Sequence, residues 1–180
     1  MAIKDDVLAL IRRDELVAFA LEICNIDSAI GHEGAVGERL YDWMRRQGLG
    51  PRKIGLQPDR FNLLGTLPGT GGGLSLIFNS HMDTAVPRER DLVHADPTER
   101  RYHAAWVEDG ALIGEGIIND KGPMAAFLIA TKAIRDSGHR LAGDLLVSAA
   151  INETGGEPCD EAPGAYRQSK ELGTRFLVTH

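Results

Sequence analysis

Apolar residues recur along this chain in two rhythms. Leu16, Phe19, Ala20 and Ile23 fall three and four apart, and so do Val36, Leu40, Trp43 and Met44. That spacing predicts two helices, one over residues 14 to 25 with Asp14 as N-cap, the other from Glu33 to Gln47 with Gly48 as its stop. Glu33 and Glu38 then read as first-turn charges that favour the helix dipole. Met124, Phe127, Leu128 and Ile134 predict a further helix, with Pro123 in its first turn and Ser137-Gly138 at its end. Short apolar runs at Lys53–Leu56, Phe61–Leu67, Leu74–Phe78, Leu145–Ala150 and Arg175–Thr179 predict strands. Leu74–Phe78 reads as a strand buried on both faces, and Leu145–Ala150 as a central one. Trp106-Val107 and Ala111–Ile113 flank an Asp-Gly turn and predict a hairpin. Residues Tyr166 to Leu172 read as a short helix. Pro68–Gly73 is glycine-rich, yet no Gly-Lys-Ser/Thr accompanies it and a strand follows, so it reads as a hairpin loop and not a phosphate cradle. Strands and helices alternate without internal repeats, which predicts an α/β sandwich around a mostly parallel sheet.

Composition narrows the class. At 180 residues the chain is one domain by length. A hydrophobic share of 43% and a charged share of 26% suit a soluble globular protein. The net charge of −6 argues against a nucleic-acid surface. Cys24 and Cys159 lie far apart, which suggests reduced thiols in a cytoplasmic protein and no disulfide framework. No apolar run approaches the roughly 20 residues of a membrane span. The first residues, MAIKDDVLALIRRDE, are too charged for a secretory signal.

Candidate chemistry gathers where apolar runs give way to polar loops. The Leu74–Phe78 run ends in Asn79, Ser80, His81 and Asp83. A His and an Asp two apart can act together: one ring nitrogen faces a metal while the carboxylate takes a hydrogen bond from the other. Gly114–Ala126, GEGIINDKGPMAA, sets Asp120 between a glycine turn and a helix. Leu145–Gly156, LLVSAAINETGG, ends its strand in Glu153 and two glycines. His94 and His103 sit in or near a charged, irregular stretch and read as solvated. Nothing in the spacing of Glu157 and Glu161 commends them.

The order of SHMDTAVP, GEGIINDKGPMAA and NETGG, with their separations, resembles the zinc-dependent family of acetylornithine deacetylase, succinyl-diaminopimelate desuccinylase, aminoacylase and glutamate carboxypeptidase. The resemblance runs from about Asp27 to the end. It implies a three-layer α/β/α sandwich around a mostly parallel mixed sheet, of the dinuclear zinc exopeptidase kind. It implies a hydrolase of amide bonds, a deacylase or exopeptidase on small N-acyl amino acids or peptides, with Zn²⁺ as cofactor and Co²⁺ or Mn²⁺ as substitutes. The same family likeness makes His81 a terminal metal ligand, Asp83 the carboxylate that orients it, and Asp120 the bridging ligand. Relatives carry two glutamates where this chain has Asn152-Glu153, the first a general base and the second a ligand. Alignment through Thr-Gly-Gly puts Glu153 on the ligand and Asn152 on the base, whereas a one-residue slip makes Glu153 the base. A non-catalytic, metal-binding or interaction remnant is the alternative. Family members are roughly twice this long and form homodimers, so the chain is expected to be an N-terminal part. The dimerisation or lid domain and the rest of the catalytic domain would lie beyond it. As such a part it is expected to hold at most one ion firmly and to expose an unpaired sheet edge or apolar face.

Overall fold

The computed structural model describes residues 3–84, 99–102, 104–154 and 170–180. His94, His103, Glu157, Cys159 and Glu161 lie outside the described residues. Three helices come first: α1 (Ile3–Leu8), α2 (Arg13–Cys24) and α3 (Gly34–Arg46). Then follow β1 (Arg52–Gln57), β2 (Arg60–Leu67), β3 (Leu76–His81), β4 (Trp106–Glu108), β5 (Ala111–Ile113), α4 (Lys121–Asp136), β6 (Leu145–Ala150) and α5 (Thr174–Thr179). Both predicted N-terminal helices form, and so does the 106–113 hairpin, as β4 and β5. Val36, Leu40, Trp43 and Met44 are buried on one face of α3. Gly48 ends that helix at φ +71°, where Leu49 N can donate back to Met44 O.

The main sheet has the order β1-β2-β6-β3. β1 pairs antiparallel with β2, β2 antiparallel with β6, and β3 parallel with β6. The expected mixed α/β sheet is therefore present, although antiparallel pairings outnumber parallel ones among the described strands. The tight Pro58-Asp59 connection joins β1 to β2 and imposes one of them. β6 lies between β2 and β3, so the loop at residues 68–73 is not a hairpin loop. Its amides instead bond to Leu141 O and Ala142 O, at the entrance to β6.

One face of the sheet carries the core. Gly65 leaves room there for Val147, Leu49 and Met44, and the Phe78 ring stacks on Phe127 of α4 with centroids 5.6 Å apart. Phe19, Ile23, Leu40, Leu63, Met124 and Leu128 complete this layer. On the opposite face Asn62 Nδ2 donates to Leu172 O, and Asn79 Nδ2 donates to Thr174 Oγ1 of α5. Arg175–Thr179 is thus helical where a strand was expected. A five-residue apolar run fits either state, and packing decides between them. β3 is not buried on both faces. Among the described residues it is a sheet edge, with Leu76 56% and Ile77 49% exposed and Leu74 bare beside it. No helix among the described residues is long and apolar enough to cross a membrane.

Candidate metal centre

β3 and β6 run parallel and end level, with His81 opposite Ala150. The polar residues that follow each strand therefore emerge at one rim, where open α/β sheets bind ligands. The turn after β3 is braced from several sides. Met82 N donates to Ala150 O, and Thr84 N donates to Ser28 O. Lys121, fully buried in the first turn of α4, donates from Nζ to Ile26 O and Ser28 Oγ. Ser28 Oγ passes its own proton to Met82 O.

His81 sits on this brace. Its Nδ1 donates to Asp83 O at 2.9 Å, with the Asp83 carboxylate 3.6 Å away. Around Nε2 stand Asn119 Oδ1 at 3.0 Å and Glu153 Oε2 at 3.5 Å. Burial alone would lower the His81 pKa. The Asp83 carboxylate and the Asn119 oxygen outweigh it and lift the pKa to about 9. The surroundings thus favour a positive charge at Nε2. A nitrogen donor fixed through its other ring atom and flanked by oxygen donors is a set that suits a divalent cation such as Zn²⁺.

Asp83 holds the imidazole mainly through its main-chain carbonyl, a difference from the expected carboxylate contact. Its carboxylate, fully buried, works on the other strand end. Oδ1 accepts from Glu153 N at 3.0 Å, and Oδ2 accepts from Thr154 N at 2.8 Å and from Thr154 Oγ1. Burial alone would raise its pKa, but these bonds and His81 pull it down to about 2. Asp83 therefore ties the β3 turn to the β6 turn.

The β6 turn separates its two polar residues. Asn152 adopts φ +65° and is fully buried, with Oδ1 accepting from Arg60 Nη2 at 2.8 Å. Arg60 in turn makes a two-pronged, buried ion pair with Glu33. Glu33, read from sequence as a first-turn charge, stands at the N-cap of α3 and is also a buried charge partner. Glu153, with its side chain 52% exposed, is the residue of the pair that faces His81.

Asp120 precedes α4 as its N-cap residue, yet its side chain makes no capping bond. A capping Asp contributes about 1 kcal/mol. Here Ser80 Oγ lies 2.6 Å from Asp120 Oδ2 and donates to it. Asp120 therefore stands on the His81 rim, beside Asn119, but its carboxylate is turned to Ser80. Among the described residues no group of three His, Cys, Asp or Glu side chains is close enough to hold an ion. His81 and Glu153 meet directly; Asp120 is brought to the rim without joining them. Ser80, Asn119 and Lys121 were missed from sequence. Each flanks a chosen residue by one position, and that adjacency was the available signal.

A family model described as peptidase family M20/M25/M40 matches residues 77–175. The N-formyl-4-amino-5-aminomethyl-2-methylpyrimidine deformylase of Bacillus subtilis (strain 168) is 35% identical over 117 residues, which are 64% of this chain and 26% of the relative. Aminoacylase-1 of Mus musculus is 30% identical over 121 residues, 67% of this chain and 28% of the relative. The matched part thus spans about a quarter of the length of these curated relatives. Human carnosine dipeptidase 1 superposes with a TM-score of 0.64 at 20% identity, over 82% of this chain and 34% of that one, a likeness of fold.

Proposed function

Because the chain belongs to peptidase family M20/M25/M40, we propose that its β3–β6 rim is part of the centre of a zinc-dependent hydrolase of amide bonds. The substrates are small N-acyl amino acids or peptides, cleaved by deacylation or exopeptidase action. The observation that carries this reading is His81 Nε2 facing Glu153 at 3.5 Å while Nδ1 is fixed by Asp83. His81, Asp120 and Glu153 are the residues that would hold the metal, with Co²⁺ or Mn²⁺ as substitutes for Zn²⁺. When bound, such an ion acts as a Lewis acid on an amide carbonyl and on water.

The chain's own residues divide the remaining work. Asp83 O holds one His81 proton on Nδ1, so the proton a cation would displace is the one on Nε2. Through Thr154 and the Glu153 amide it also sets where the Glu153 carboxylate stands. Asn152 cannot accept a proton at neutral pH, and its side chain is committed to Arg60. Any carboxylate role at this turn, ligand or proton acceptor, falls to Glu153. The buried Asn152 also favours a second reading, a metal-binding or interaction module without turnover.

Zinc titration by calorimetry, with hydrolysis of N-formyl and N-acetyl amino acids and of dipeptides, tests both readings. Zinc binding that is lost in Asp120→Ala, with hydrolysis above the metal-free blank, supports the hydrolase. Binding without turnover supports the second reading. Zinc binding indifferent to both Asp120→Ala and His81→Ala overturns the metal centre.

A further inference from the structure

We propose that Ser80 is a positioning residue for the metal centre, acting through Asp120. This rests on the reading of Asp120 as a metal ligand and adds to it a residue with no assigned role. Successive strand residues point to opposite faces, so Ser80 shares with Phe78 the face covered by α4. At that point α4 begins, and its N-cap residue Asp120 leaves the helix amides uncapped by its side chain. The carboxylate goes to Ser80 instead, Oγ to Oδ2 at 2.6 Å, with Asp120 O a longer 3.0 Å from the same hydroxyl. Ser80 is 3% exposed, so water does not compete for this proton.

A hydroxyl has one proton to give, and the shorter contact takes it. An ionised carboxylate has about four acceptor positions on two oxygens. One donor at Oδ2 fixes its plane and leaves the other positions for a cation. β3 thereby serves the centre twice in succession, with His81 offering a nitrogen and Ser80 aiming a carboxylate. A side chain that merely filled space would need no hydroxyl there, and an Asp free to cap would turn back onto α4.

The test compares wild type with Ser80→Ala, Ser80→Thr and Asp120→Asn. Co²⁺ is the probe, followed by calorimetry and by the visible absorption of the bound ion. Circular dichroism and thermal unfolding of the metal-free proteins report the fold. Ser80→Ala is expected to weaken Co²⁺ binding about 10–100-fold and to alter the visible band, while Ser80→Thr, which keeps the donor, stays within about threefold of wild type. A merely structural role would lower the unfolding midpoint and leave the band unchanged. Ser80→Ala that binds Co²⁺ as tightly as wild type, with the same band, overturns the proposal. If Asp120→Asn weakens binding in that same experiment, the fault lies with Ser80 alone. If Asp120→Asn also binds as wild type, the ligand reading falls and takes the Ser80 role with it. Should Ser80→Ala not fold, Ser80→Cys against Ser80→Thr decides: weaker binding in the cysteine variant supports the proposal, and equal binding overturns it.

Discussion

Asp83 shows how one residue can organise a rim. Its carbonyl orients His81, and its buried carboxylate collects the amides of Glu153 and Thr154 and the Thr154 hydroxyl. These bonds hold its pKa at about 2, below the ordinary 3.8. A depressed carboxylate stabilises the fold above its ordinary pKa and loses that contribution as pH falls through the folded value. In metal-free protein Asp83 should therefore add on the order of 2 kcal/mol at neutral pH, decaying as pH drops from about 4 to about 2. Urea unfolding of wild type and Asp83→Asn across that range should show curves that differ at pH 6 and converge in acid. A constant gap would mean that Asp83 does not titrate as described. At this scale the sequence exposed the motif residues because each stands where an apolar run ends. It hid their partners, since Ser80 with Asp120 and Arg60 with Asn152 are joined across 40 and 92 positions.

Between elements, the Glu33–Arg60–Asn152 chain links the start of α3, the start of β2 and the turn after β6. Glu33 read from sequence only as a helix-dipole charge, because only tertiary packing brings Arg60 over it. Removing one partner of a buried pair strands the other charge, which costs about 3–5 kcal/mol. Arg60→Met should lose stability of that size in urea unfolding. A loss below about 1 kcal/mol, typical of exposed pairs, would show that water reaches Glu33. Helices α2, α3 and α4 were legible because their apolar faces repeat over several turns. Strand order was not legible: nothing local in Pro68–Gly73 shows that β6, far along the chain, separates β2 from β3. The run at Arg175–Thr179 was too short for its period to distinguish strand from helix.

At the scale of the described molecule, the proposed centre rests on the parallel pairing of β3 with β6. β3 and β6 arrive from distant parts of the chain, and their shared register sets His81 level with Ala150, two residues before the Asn152-Glu153 turn. A slip of one residue would turn His81 to the opposite face and separate it from Glu153. The core on one face, from Phe19 through Leu128, fixes that register by packing α4 against both strands. Among the described residues β3 is exposed at Leu76 and Ile77. All of this converges on the claim that the rim binds a metal through His81, Asp120 and Glu153. The most direct measurement is anomalous X-ray diffraction from zinc-soaked crystals. The account predicts a zinc peak about 2.0–2.2 Å from His81 Nε2 and from a carboxylate oxygen of Asp120 or Glu153. Zinc bound elsewhere, with His81 Nε2 still held only by its protein neighbours, would contradict it.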